Sequence, residues 1–184
     1  MKFLKIVIIL GLLINLLGCS KLEKIKNKMN PGSPYKKAGI DRFYWEAEDD
    51  DKHIIPLIKP YYLYKWKGDD EWILNSSIIS PIADINIKDT YIYGSTDIDY
   101  FGDDKNVINN TEFFFIINTK ANEIKRYYYK REKKQFEEEL RKLNLPEKYL
   151  EPQNIYWEFE RYPDLEWFPE DVKKQLREVK ASLK

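Results

Sequence analysis

A chain of 184 residues with 31 basic and 31 acidic side chains is long enough for one domain with its own core, and it has no charge excess with which to hold a polyanion. A single cysteine excludes an intramolecular disulfide, and one cysteine with one histidine excludes a thiolate or imidazole metal cluster. No nucleic acid and no cofactor is therefore expected.

Lys2 and Lys5 precede an apolar run from Ile6 to Leu17. That run is short of the roughly 20 residues a membrane span needs, and it suits the core of a signal peptide. It ends in Leu16-Leu17-Gly18-Cys19, which resembles the lipobox of bacterial lipoproteins. The resemblance implies a signal peptide over 1–18, cleavage before Cys19, diacylglycerol on the Cys19 thiol and an acyl chain such as palmitate on the new amine. One acyl chain binds a bilayer only marginally, whereas two or three on one residue make a lasting anchor. Ser20 stands where an aspartate would signal inner-membrane retention. The expected location is the cell envelope: the outer membrane in a Gram-negative host, the plasma membrane in a Gram-positive one.

Residues 19–37 read as a lipidated tether. Lys21, Lys24, Lys26 and Lys28 either rest on anionic head groups or are merely solvated. Asn30-Pro31-Gly32-Ser33-Pro34 then breaks any helix. One globular domain is expected over 38–184.

From Ile40 onward the pattern predicts strands. Asp41–Ala47 is aromatic-rich and ends in an acidic turn over Glu48–Asp51; Ile54–Ile58 and Tyr61–Trp66 follow, separated by Lys59-Pro60. Lys67-Gly68-Asp69-Asp70 is turn chemistry before a short strand over Glu71–Leu74. Ile82, Ile85 and Ile87, then Lys88-Asp89, then Tyr91–Tyr93 predict a hairpin. Asp97–Asn110 is a polar loop, and Glu112–Ile117 is apolar on both faces, as in a central strand. Asn118–Asn122 turns the chain, and Ile124–Lys130 returns it with Tyr127, Tyr128 and Tyr129.

The period then changes. Phe136, Leu140 and Leu143 mark an amphipathic helix within Glu132–Asn144, stopped by Leu145-Pro146. Ile155–Phe159 reads as one more strand. Pro169 opens a last helix, with Glu170 and Asp171 in its first turn and Val172, Leu176, Val179 and Leu183 as its stripe. The fold class is α+β, a mostly antiparallel sheet with two amphipathic helices in the C-terminal third. Tyr91–Gly94, Ile116–Thr119 and Phe136–Leu140 together resemble a pattern in small bacterial lipoproteins of unknown function, the DUF3997-like group. That resemblance implies a secreted, anchored, non-catalytic module and brings no site residues.

His53 is the one imidazole, near Asp49–Asp51 but with no G-x-S-x-G motif to serve, and it reads as a surface histidine. Asp97, Asp99 and Asp103 offer oxygen ligands for calcium, yet Phe101 breaks the EF-hand spacing, so a solvated loop is favoured. The aromatic pairs put rings on both sheet faces; one face is core and the other is a candidate for binding an envelope protein, with Tyr127, Tyr128 and Tyr129 as its candidate residues. The functional expectation is an anchored, non-catalytic binding or structural module. The alternatives are a carboxylate-dependent hydrolase of envelope glycans and a small-ligand or calcium carrier.

Overall fold

The computed structural model describes residues 32–49, 51–76, 78, 81–96 and 112–183. It has two antiparallel four-stranded sheets and three longer helices, all late in the chain, so the α+β class stands. The first sheet runs β1 (Glu48–Asp49), β2 (Lys52–Pro56), β3 (Tyr62–Trp66) and β4 (Ile73–Leu74), paired in that order. The second runs β5 (Ile82–Lys88), β6 (Tyr91–Thr96), β7 (Phe113–Asn118) and β8 (Glu123–Tyr128), also in order.

The second sheet is held by register. Ile87, Ile92, Ile117 and Ile124 stand directly opposite one another across its four strands. Side chains opposed in this way form a continuous apolar row, and this row joins the first core. The other face carries Tyr93, Phe114 and Ile116 into a second core. With both faces covered, β7 is buried from Phe114 to Ile117, as its two-sided apolar run predicts. The β5–β6 turn uses Asp89 at φ 54°, a left-handed conformation that Asp tolerates.

Gly94 is fixed by a close approach. The β5–β6 register slips between Ile82 and Asp84, and a Cβ on Gly94 would lie 2.0 Å from the Asp84 carbonyl oxygen. No side chain fits there.

Helix α2 (Tyr129–Lys142) lies on the outer face of the second sheet. Phe136 and Leu140 are buried, with Phe136 stacked 4.5 Å from Phe114. Its end is a Schellman motif. Asn144 takes φ 55°, Leu145 N–H donates to Leu140 C=O at 2.9 Å, and Asn144 N–H donates to Arg141 C=O at 3.1 Å.

Three stretches depart from the sequence reading. Gly32–Lys37, assigned to the tether, form a short helix α1 whose Tyr35 is buried and stacks on Trp45. The expected strand over Asp41–Ala47 is instead a 3-10 turn, Arg42–Tyr44, because the Asp41 carboxylate accepts the Phe43 N–H and caps it. Trp45 then folds inward and donates its indole N–H to Ile40 C=O.

Ile155–Phe159 is a helix, not a strand: α3 spans Pro152–Arg161, a third helix beyond the two expected. Its buried positions, Pro152, Ile155, Tyr156 and Phe159, follow a 3.6-residue period, and Pro152 sits in its first turn, where proline is tolerated. A strand would put Trp157 beside Ile155 and Phe159, but Trp157 is exposed. Helix α4 (Glu170–Ser182) starts after Pro169 as expected. Leu176 is buried and Val172 and Val179 are half-buried, while Leu183 remains exposed.

Candidate functional site

Cys19 and the loop with Asp97, Asp99 and Asp103 lie outside the described residues. The three tyrosines of the return strand do not share a face. Tyr127 turns into the second core, 5.7 Å from the Phe136 ring. Tyr128 is exposed, and its backbone N–H donates to Glu132 at 2.7 Å. Tyr129 opens α2 and stacks on Phe114 at 5.0 Å, with part of its ring in solvent.

The outer face of the first sheet collects aromatics instead. Strand alternation sends Ile55, Leu63 and Leu74 into the core. It sends Ile54, Tyr62, Tyr64 and Trp66 the other way. The rings form a row, Tyr62 to Tyr64 at 6.1 Å and Tyr64 to Trp66 at 6.3 Å. Lys52, directly opposite Trp66, places its ammonium 4.1 Å from the Trp66 ring and 4.9 Å from Tyr64. Trp66 is still 44 % exposed. Beside Tyr62 a groove of about 290 Å³ is lined by Arg42, Phe43, Glu46, Asp49 and Ile54. Arg42 and Glu46 form an ion pair on its wall.

Behind this face lies a polar cluster that sequence proximity did not reveal. His53 Nδ1 is 2.8 Å from the Tyr156 hydroxyl and 3.4 Å from Glu48. Tyr156 O–H also lies 3.3 Å from the same carboxylate, to which it donates. Burial, and then the nearby Glu160 and Glu48 carboxylates, push the Tyr156 hydroxyl far above the usual tyrosine range, so it remains a neutral donor. Its ring packs 5.3 Å from Trp72. His53 is thus a partly buried residue joining β1, β2 and α3, and not the plain surface histidine expected. The missing signal was the 103-residue separation between His53 and Tyr156.

A larger cleft, about 560 Å³, opens between β5, the 146–150 segment and the loop before α4. Asn86, Lys88, Lys148, Glu166 and Trp167 line it. Its floor is cross-linked by hydrogen bonds: the Asn86 amide donates to the Tyr93 hydroxyl and to Lys148 C=O, and Tyr93 O–H donates to Pro146 C=O at 2.9 Å. Burial pushes the Tyr93 hydroxyl up to about 12.

No protein-family model, no curated protein and no solved structure matches this chain. Among the described residues no helix is long and apolar enough to cross a membrane, and none of their acidic, His or Cys side chains gathers into a group of three or more that could hold a metal ion.

Proposed function

We propose that this chain is a lipid-anchored binding module of the bacterial envelope, held by lipid on Cys19 and capturing a protein partner on the outer face of its first sheet. The aromatic row Tyr62–Tyr64–Trp66 carries this reading, because interface hot spots concentrate in such rings. The charge around the row selects the partner. Residues 41–71 hold nine acidic and five basic side chains, so the complementary surface is apolar at its centre and basic at its rim.

Each half has its own test. Fractionation of host cells expressing the full chain should place it in membranes with a lipid mass on Cys19, and Cys19→Ser should release it; an unmodified cysteine refutes the anchor. A partner isolated with the wild-type chain, then purified, should bind at least tenfold more weakly to the Tyr64→Ser/Trp66→Ser variant, by a factor that salt leaves unchanged because the lost contacts are apolar. Unchanged affinity refutes the site.

A second reading, a carboxylate-dependent glycan hydrolase, draws on Glu46 and Asp49 lining one groove beside the Tyr62 ring. It requires the wild-type chain to release reducing ends from purified cell wall and Glu46→Gln or Asp49→Asn to abolish that release.

A further inference from the structure

We infer that the solvent face of α2 is a docking surface for an anionic membrane, on which the domain lies down once it is tethered. The chain as a whole is neutral, yet residues 120–142 hold nine basic and five acidic side chains. The imbalance is sharper at the surface than the count suggests, because most of the acids in α2 are already engaged. Glu132 caps the Tyr128 N–H at 2.7 Å. Glu139 is turned toward the sheet, its side chain only 15 % exposed, between Lys125 at 2.5 Å and Lys142 at 3.5 Å. Glu137 faces Lys133 at 3.9 Å. That leaves Glu138 alone against Lys130, Arg131, Lys134 and Arg141, all exposed and none paired with a carboxylate among the described residues.

The placement works against the helix itself. Lys130, Arg131, Lys133 and Lys134 crowd the first turns, the end at which the helix dipole disfavours positive charge. The apolar stripe of α2 is spent on the second core, so these cations serve no packing role. Tyr129, at the head of the helix and 42 % exposed, adds a ring of the kind found at bilayer interfaces.

The occupant follows from chain length and charge, and this step rests on the anchor proposed above. The segment from Cys19 to Gly32 spans at most about 45 Å fully extended. A domain so confined meets one anionic surface continuously, the head groups of its own membrane, and basic side chains near such a surface each add to binding. The α2 face shares no residue with the Tyr62–Tyr64–Trp66 row, so a domain lying on α2 keeps its partner site open.

The test uses residues 20–184 without lipid, so it succeeds or fails independently of the anchor. Co-sedimentation with vesicles of phosphatidylcholine containing about 30 % phosphatidylglycerol is compared with pure phosphatidylcholine. Binding is expected on the anionic vesicles alone and is expected to be lost in high salt. At about fivefold per basic side chain, Lys130→Gln/Arg131→Gln/Lys134→Gln should weaken it on the order of 100-fold. Among the described residues these side chains form no ion pair with a carboxylate, and an unchanged melting curve will certify the variant. A companion variant with Lys21, Lys24, Lys26 and Lys28 changed to Gln should retain most of the binding. The inference is overturned if wild type ignores anionic vesicles, if the α2 variant binds as wild type does, or if the tether variant alone loses binding. It is equally overturned if the face binds an acidic peptide but no vesicle, which would make its occupant a protein.

Discussion

The two sheets share a strand number and an in-order antiparallel pattern but treat their outer faces differently. The second sheet covers its outer face with α2 and seals a core of Tyr93, Phe114, Ile116, Phe136 and Leu140. The first leaves Tyr62, Tyr64 and Trp66 facing away from the core, ordered by one another and by Lys52. The segments that carry them differ in charge as well: residues 120–142 hold nine basic and five acidic side chains, and residues 41–71 hold five basic and nine acidic ones. Aromatic content alone does not distinguish them. What does is whether an element follows in the chain to cover the rings: β8 runs directly into α2, whereas β3 leads only to a turn and the two-residue strand β4.

That contrast predicts unequal costs for similar truncations. Phe136→Ala should destabilise the domain by about 3–5 kcal/mol in denaturant unfolding, since it empties a space bounded by Phe114 and Tyr127. Trp66→Ala on the first sheet should cost no more than about 0.5 kcal/mol while weakening partner binding. Equal costs would mean that the aromatic row is structural after all.

Gly94→Ala should cost about 3 kcal/mol, because the added methyl meets the Asp84 and Ile85 backbone rather than a side chain that can move. Far-UV circular dichroism with chemical denaturation would show it; a neutral result would mean that β5 is free to shift. Tyr156→Phe should cost about 1–2 kcal/mol by leaving His53 and Glu48 without their shared hydroxyl. Its melting curve should shift more than that of Tyr62→Phe on the open face.

A further effect depends on pH. The hydrogen bond from Lys125 holds the Glu139 carboxyl below the usual glutamate range. Its stabilisation is therefore present above that range and fades as pH falls through the lowered value. Glu139→Gln should cost about 0.5–1 kcal/mol at neutral pH, and the difference from wild type should vanish in acid. A gap that persists in acid would assign the effect to packing instead.

How legible these features were in the sequence follows from how locally each was encoded. The Ile87/Ile92 hairpin and the Phe136–Leu140 stripe were readable because period and turn chemistry coincide within a few residues. Asp41–Ala47 and Ile155–Phe159 were misread for one reason: aromatic runs suggest strand, and the deciding residues, Asp41 as a cap and Pro152 as a first-turn proline, lay at their edges. The aromatic row was visible as a composition but not as a face. Alternation separates Tyr62, Tyr64 and Trp66 from Tyr61 and Leu63, yet only the position of the core decides which set is buried. The His53–Tyr156–Glu48 cluster was beyond reach, since its members meet only through tertiary packing of α3 on β2.

Site-specific photo-cross-linking in intact host cells tests the central claim most directly. A photoreactive side chain in place of Tyr64 is compared with one in place of Lys174 on α4, both in the chain expressed from Met1 with Cys19 intact. The binding-module account predicts a discrete adduct from position 64 alone, abolished by Trp66→Ser. No adduct from position 64, or the same adducts from both positions, would contradict it.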